Sequence, residues 1–231
     1  MFTSSMQGFL KIRTIPPPVV RMPYLVIEHL EEISEWLWLE YKHVSEWWGE
    51  KLIFTNVPAK DRERLAKLGS VLSQSITEFP IDRSKLIILD PFAEEELKPE
   101  DIEDDTIIVV GGILGDFEFT GKTKKFITDK IEGANARHIG SVQFSIDGSA
   151  IVAKLIAEGK RLDEIEYELN PTIKLDEFSE ITLHYAVPKL NGKLLLTPDL
   201  IELQKRELGY CKDHEEDEEL EAFFEGRKEL K

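Results

Sequence analysis

The sequence contains one cysteine, Cys211, among 231 residues, so it can form no disulfide within the chain and no cysteine-cluster metal site. Scarce cysteine is typical of a reducing compartment, and we expect a cytoplasmic protein. The five histidines show no ligand spacing such as H-x-x-x-H, so no metal site is expected. Apolar stretches stay shorter than the ~18 residues that a membrane span needs, and the N-terminus has no secretory pattern. We therefore expect no membrane partner.

Basic residues are outnumbered, with 29 lysines and arginines against 45 acids and a formal net charge of −16. The segment from Cys211 to the end carries a net −5, which leaves −11 for the rest, so the acidity is not confined to the tail. Since nucleic acids are bound chiefly by lysine and arginine, this charge disfavours them and favours a basic protein partner. One lysine cluster is either a local basic patch or a solvated helix face; it comprises Lys122, Lys124, Lys125 and Lys130.

Short apolar stretches alternate with helical ones through the middle of the chain. Strands are predicted over 24–30, 51–57, 85–90, 106–110 and, half exposed, 164–169. Helices are predicted from Ser34 as cap to Trp48, over 59–68, and over 145–157, each ended by a glycine. Because strands separated by helices favour parallel pairing, we expect an α/β fold with a mostly parallel sheet and helices on both faces.

The two ends of the chain are less regular and set the domain bounds. Residues 1–23 contain three consecutive prolines and are predicted to form an arm, 24–200 one domain, and 201–231 an acidic tail that is helical. Before the tail, 181–187 alternates like a strand and Asn191-Gly192 predicts a hairpin turn. A helix is predicted over 198–208.

The apolar run at 106–110 is followed at once by Gly111, Gly112 and Gly115. Glycines at the carboxyl end of a buried strand let the backbone approach a ligand, so we expect a small-molecule site here. The sequence of 115–123, GDFEFTGKT, is one residue too long between its glycines for a phosphate loop, and its two acids would oppose a triphosphate. A dinucleotide fingerprint is also excluded, since the glycines read G-G-x-x-G.

Three blocks of sequence together resemble a known family: YLVIEHLEEISEWLWLEYKH at 24–43, GGILGD at 111–116, and ARHIGSVQFSIDGSA at 136–150. They are similar to SPOUT-class methyltransferases, in the branch of SPOUT-like protein arginine methyltransferases that was first labelled as RNA methyltransferases. The resemblance covers about 24–198 and implies a C-terminal trefoil knot. It also implies S-adenosylmethionine (SAM) as cofactor and an arginine of a basic protein as acceptor, a ribosomal protein being one candidate. Both a monomer and a homodimer are compatible with it.

The resemblance assigns SAM to three loops. Cofactor-binding residues are expected to be Gly111, Gly112, Ile113, Leu114, Gly115, Arg137, His138, Ile139, Gly140, Gln143 and Asn170. The glycines support this independently, because a purine can lie on backbone that carries no side chain, and Gly112 is the expected centre of that shelf. Tight turns without a ligand are the alternative. Arg137 either contacts the cofactor carboxylate or pairs with Asp116.

An arginine acceptor needs carboxylates, because a guanidinium has a pKa above ~12 and must lose a proton to attack a methyl group. The predicted catalytic residues are Asp116, Glu118 and Glu28, although a cap or surface role is open for each. An RNA acceptor would instead want basic and aromatic side chains. RNA methylation therefore stays the alternative, and a non-catalytic cofactor-binding or interaction module is a second one. At 117–121 the sequence FEFTG replaces the more proline-rich turn that the family leads us to expect.

Overall fold

A six-stranded sheet forms the centre of the structure, a computed structural model that describes residues 21–114 and 120–209. Its strands in chain order are β1 (Tyr24–His29), β2 (Leu52–Thr55), β3 (Ser70–Val71), β4 (Leu86–Leu89), β5 (Ile107–Gly112) and β6 (Ala136–Arg137). Their order in space is β3-β2-β1-β5-β4-β6, and every pair is parallel. The prediction of a mostly parallel sheet is therefore confirmed.

Five further strands form two antiparallel units: β7 (Tyr167–Leu169), β8 (Thr172–Lys174), β9 (Glu180–Thr182), β10 (Ala186–Leu190) and β11 (Lys193–Leu194). Strand β10 pairs with β7 and β11, while β8 and β9 form a separate hairpin. The predicted Asn191-Gly192 turn is confirmed, since both residues have positive φ, 52° and 75°, as a two-residue type I′ connection requires.

The α-helices are α1 (Glu35–Trp48), α2 (Arg62–Leu65), α3 (Lys122–Phe126), α4 (Ile146–Ala157) and α5 (Leu200–Glu207). Ser34 caps α1 by accepting from the Leu37 N–H at 3.1 Å, and Ser145 caps α4 by accepting from Gly148. These serines fix the predicted helix starts, because a hydroxyl satisfies an N–H that has no partner within the helix. None of the described helices is long and apolar enough to cross a membrane.

The sheet is covered on both faces, but unequally. Helices α1 and α4 pack together on one face, where Leu37, Tyr41 and Ala150 are fully buried. The opposite face is covered by α3 and by single 3₁₀ turns, through Ile76 and Ile127 among others. Long helices therefore occupy one face only, which leaves the ends of β4 and β5 bordered by loops.

Three predicted elements differ from those found. The helix over 59–68 shortens to α2, because the hydrogen bonds that follow Leu65 close into turns. The stretch 164–169 divides into a 3₁₀ turn and β7. The stretch 181–187 divides into β9 and β10, because Leu183 turns inward and is buried. The knot stays a prediction, and residues 1–20 and 210–231, with most of the predicted arm and tail, lie outside the described residues.

Candidate functional site

A cavity of about 620 Å³ opens at the carboxyl ends of β4 and β5. Its volume is that of a small-molecule site, and the carboxyl edge of a parallel sheet is where such sites form. Strand β4 contributes Leu89 and the following Pro91, and β5 contributes Val110 and Gly111. Further walls come from the starts of α1 and α3, the cap and first turn of α4, β9 with the chain that follows it, and α5. The cavity therefore lies where sequence analysis expects a ligand.

The two glycines that end β5 face opposite ways. Gly111 lines the cavity, and a Cβ added there would lie 3.2 Å from the Thr123 hydroxyl. The φ of Gly111 is one that any residue can adopt. Gly112 does not line it: a Cβ there would lie 2.4 Å from the Tyr41 hydroxyl and 2.7 Å from a methyl of Ile27. Gly112 is therefore required by close packing against α1 and β1. The side-chain-free shelf lies at Gly111, one residue before its expected centre.

Two further residues of the first predicted loop also border the cavity. Ile113 and Leu114 line the cavity, and the Leu114 N–H donates to Glu31 at 2.7 Å. Gly115, Asp116 and Glu118 lie outside the described residues. Two of the three predicted catalytic acids therefore have no described position.

The second predicted loop adjoins the cavity. Ile139, Gly140 and Gln143 surround a smaller space of about 50 Å³ that shares Leu89 and Gln143 with the large cavity. His138 lies outside both linings, and its Nδ1 accepts from the Gly140 N–H at 3.1 Å. Gly140 has a φ of 108°, which glycine adopts without strain. Of this loop, Gln143 lines the large cavity, while Ile139 and Gly140 line only the smaller space beside it.

Arg137 is held by acids outside the cavity. Its guanidinium lies 3.1 Å from Glu95 and 3.3 Å from Asp101, with only 17% of the side chain exposed. It does not line the cavity. The structure therefore gives this arginine carboxylate partners other than the two expected for it.

The third predicted loop contributes through a neighbour. Asn170 is exposed and does not line the cavity, and its φ of 50° places it in a turn. Its N–H donates at 3.1 Å to the carbonyl of Tyr185, which does line the cavity. Asn170 therefore supports the wall from outside.

Glu28 is buried at the carboxyl end of β1, with its carboxylate turned away from the cavity lining. It accepts from the hydroxyls of Thr55 and Ser75, both at 2.5 Å, and from the Ile76 N–H at 3.0 Å. These contacts join β1 to β2 and to the 3₁₀ turn at Ile76–Glu78. A buried carboxylate with three donors has a structural reason to be there.

A different acid, Glu40, lies in the cavity wall. It is 1% exposed and accepts from the Trp36 indole N–H at 2.7 Å and from the Ile146 N–H at 2.9 Å. Burial, reinforced by the nearby charge of Asp147, raises the pKa of Glu40 from 4.5 to about 8. Sequence reasoning missed it, although an acid one turn after Leu37 and one turn before Val44 interrupts the apolar face of α1.

Asp147, at the start of α4, completes this buried polar group. It lies 2.7 Å from Nδ1 of His43 and accepts from the Thr197 hydroxyl at 2.7 Å. His43 in turn accepts from the Trp47 indole N–H at 3.2 Å. The network connects α1, α4 and the chain before α5, and it fixes the wall in which Glu40 lies.

Tyr185 supplies a polar atom without a partner. The residue is part of the cavity wall, and its hydroxyl is buried and makes no hydrogen bond with any described residue. Burial, with Glu40 and Asp147 nearby, raises the pKa of Tyr185 above its ordinary value, so the hydroxyl keeps its proton. A buried hydroxyl of this kind lacks a hydrogen bond that its oxygen can accept from a ligand in the cavity. Within 21–114 and 120–209, no group of side chains is arranged to hold a metal ion.

Comparisons with known proteins agree with this geometry. Residues 24–211 match the family model described as "Protein arginine N-methyltransferase SFM1-like". The protein arginine N-methyltransferase SFM1 of Saccharomyces cerevisiae is 28% identical over 201 residues, which cover 79% of this chain and 94% of the yeast protein.

Solved structures of the yeast arginine methyltransferase SFM1 share the fold. Its complex with SAM superposes with a TM-score of 0.73 at 25% identity, covering 83% of this chain and 93% of the yeast chain. Its complex with MTA has a TM-score of 0.69 at 26% identity, covering 79% and 100%. These likenesses confirm the expected SPOUT-like α/β fold.

Proposed function

The chain belongs to the SFM1-like family of protein arginine N-methyltransferases, and from this membership and the cavity we propose that it methylates an arginine of a basic protein with SAM as methyl donor. The observation that carries the proposal is the pairing, in one cavity, of a side-chain-free strand end at Gly111 with a buried acid at Glu40. The strand end at Gly111 suits the methyl donor SAM, and the acid at Glu40 suits the guanidinium of the acceptor.

The donor half of the cavity is apolar and lies along the strand ends. Leu89, Pro91 and Val110 offer apolar contacts, and Gly111 leaves backbone uncovered. Gln143 adds an amide that can hydrogen-bond a nucleoside. A ligand of SAM's size fits about 620 Å³, and the yeast relative's structures hold SAM and MTA. When bound, SAM supplies an activated methyl group on sulfur.

The acceptor half is formed by Trp36, Glu40 and Tyr185. With a pKa of about 8, Glu40 is mostly protonated at neutral pH and brings no unpaired charge into the cavity wall. A guanidinium lowers that pKa, so binding releases the proton and leaves a carboxylate beside the cation. That carboxylate orients the planar group and takes the proton that the nitrogen loses on methylation. The Tyr185 hydroxyl donates nothing to a cation, but its oxygen accepts from an N–H of the guanidinium.

The lysine cluster does not favour the RNA alternative. Lys124 pairs with Asp129 at 2.9 Å, and Lys125 and Lys130 lie over the Phe126 ring. Lys122 donates to the carbonyl of Leu114 at 3.2 Å. These contacts suit a helix face better than a free phosphate-binding patch. The acidic chain as a whole supports a basic protein acceptor, for which we propose a ribosomal protein in a cytoplasmic setting.

Transfer of tritiated methyl groups from SAM into a cell extract tests the acceptor class. We expect label that protease removes and RNase leaves, and the reverse pattern would overturn the arginine proposal. The Glu40→Gln variant should lose most methyl transfer while calorimetry finds SAM affinity within about threefold of wild type. Glu46→Gln, an exposed acid on the same helix, is the matched control and should keep full activity. Full activity in Glu40→Gln would remove Glu40 from the acceptor site.

A further inference from the structure

The β8–β9 hairpin extends from the rim of the cavity. Its strands pair Thr172 with Thr182 and Ile173 with Ile181, and the two isoleucines pack on the body around Leu183. Thr172 and Thr182 face outward, and their hydroxyls lie 3.1 Å apart. Because an isolated two-stranded hairpin is marginal in water, the inward face anchors the hairpin and the outward face is free for other contacts.

The turn between β8 and β9 is ordered by hydrogen bonds and exposes the side chain of Phe178. Leu175 is buried beneath it, and its N–H donates to the carbonyl of Ser179 at 2.9 Å. The Asp176 carboxylate accepts from the Phe178 N–H at 2.7 Å. These contacts order the turn, yet the Phe178 side chain is 91% exposed. An ordered turn that exposes a phenylalanine this fully has an aromatic face available to a partner.

The tip around this phenylalanine is acidic. Asp176, Glu177 and Glu180 lie within five residues, and Lys174 is the nearest basic residue in the hairpin. In the part of the chain that the structure describes, neither Glu177 nor Glu180 forms an ion pair with a cation. The tip therefore presents negative charge beside an aromatic ring, which is the chemistry that binds lysine and arginine.

The hairpin leads directly into the cavity. Ile181 and Thr182 of β9 line the cavity, as does Tyr185 beyond them. From Phe178 in the turn to Thr182 at the end of β9 the chain spans at most about 13 Å. An extended peptide covers that span in about four residues, so a segment whose arginine enters the cavity can lay its neighbouring residues along β9.

We propose that the β8–β9 hairpin is the docking arm for a lysine- and arginine-rich segment of the acceptor protein, next to the arginine that is methylated. Phe178 receives a cationic side chain on its ring, while Glu177 and Glu180 pair with neighbouring cations. The inference rests on the proposed function, because it places the arginine of that segment in the cavity. To that function the inference adds the surface of the protein that selects the acceptor.

The test uses the full chain and a synthetic lysine-rich peptide with a single arginine as the probe. Peptide affinity is measured by fluorescence anisotropy at low and high salt, and SAM affinity by calorimetry. The variant is Phe178→Ala combined with Glu177→Gln and Glu180→Gln. The matched control is Leu72→Ala combined with Glu63→Gln and Glu78→Gln, which are exposed residues on α2 and around β3. Thermal melts establish that both triple variants stay folded.

We expect the hairpin variant to bind the peptide about tenfold more weakly at low salt, with less loss at high salt, and to bind SAM as wild type does. The control variant should match wild type in both measurements. Equal peptide affinity in the hairpin variant, or no peptide binding by wild type at either salt, would overturn the docking arm while SAM binding and methyl transfer still support the function. Absence of SAM binding in wild type would instead overturn the proposed function.

Discussion

The hydroxyl of Tyr41 donates a 3.3 Å hydrogen bond to the carbonyl oxygen of Gly112, and this contact joins α1 to the last residue of β5. The same hydroxyl lies 3.1 Å from Nδ1 of His29, the last residue of β1. Tyr41 is fully buried, so both contacts form in the core. The strand end beside the cavity is therefore fixed from the side opposite to its ligand-facing residue, Gly111.

Alanine substitutions at the two glycines should have different consequences. Gly112→Ala should destabilise the fold by about 2–3 kcal/mol, because its Cβ would collide with Tyr41, Ile27 and the backbone of Glu28. Gly111→Ala should melt near wild type but bind SAM several-fold more weakly, since its methyl group would lie 3.2 Å from the Thr123 hydroxyl in the cavity wall. Urea unfolding and calorimetry measure the two effects. Equal stability of the two variants would contradict this division.

The stability of the protein should fall with rising pH because of Glu40. Its folded pKa of about 8 exceeds the 4.5 of an ordinary glutamate, so between these values the unfolded chain has released a proton that the folded chain keeps. The free energy of unfolding then decreases by up to about 1.4 kcal/mol per pH unit from this group. The contribution is fully present below pH 4.5 and is lost as pH rises through 8.

Urea unfolding across this pH range should resolve that slope in wild type and in Glu46→Gln, and a smaller slope in Glu40→Gln. In Glu40→Gln the amide NH₂ must face either the Trp36 indole N–H or the Ile146 N–H, which lowers the free energy of unfolding at every pH. The slopes with pH are therefore compared, and not the absolute free energies. Identical slopes in wild type and Glu40→Gln would show that Glu40 titrates normally.

Tyr185→Phe should separate binding from folding. The hydroxyl has no partner among the described residues, so its removal should leave the free energy of unfolding unchanged or raise it by up to about 1 kcal/mol. Acceptor kcat/KM should fall about tenfold, because the guanidinium loses a hydrogen-bond partner. Tyr167→Phe, an exposed tyrosine on β7, is the control. A large loss of stability in Tyr185→Phe would mean that the hydroxyl already has a structural partner.

Arg137→Gln should affect folding and leave SAM binding alone. The arginine is mostly buried against Glu95 and Asp101, and its loss should lower the free energy of unfolding by about 1–2 kcal/mol. The exposed Arg161–Asp163 pair offers a control, and Arg161→Gln should cost less than about 0.5 kcal/mol. A marked loss of SAM affinity in Arg137→Gln would instead support contact with the cofactor carboxylate, one of the two roles that the family resemblance leaves open.

The sequence predicts the fold best where local signals agree. Ser34 and Ser145 cap their helices, Gly49 ends the first, and apolar runs mark β4 and β5. Strands β3 and β6 have two residues each, too few for any periodicity, and they exist only because longer neighbours pair with them. Local pattern therefore finds the long elements and misses the edges of the sheet.

The site is predicted less completely, because it depends on contacts between distant residues. Alternation along β5 places Gly112 with Ile108 and Val110 on the face toward α1. That Val110 and Gly111 line the cavity while Gly112 does not follows only from the packed structure. Glu40 acquires its raised pKa from burial and from the nearby charge of Asp147, more than 100 residues away in the chain. The structural role of Glu28 likewise depends on distant residues, because its carboxylate accepts from Thr55 of β2 and from Ser75 in the turn after β3.

The 2.7 Å hydrogen bond from the Trp36 indole to Glu40 makes the fluorescence of Trp36 a probe of this carboxyl group. An indole whose N–H is held by a carboxyl group changes its emission when that group gains or loses a proton or turns toward a cation. The other three tryptophans, Trp38, Trp47 and Trp48, lie outside the cavity lining. Arrival of the acceptor can therefore be followed by intrinsic fluorescence, with no label attached to either partner.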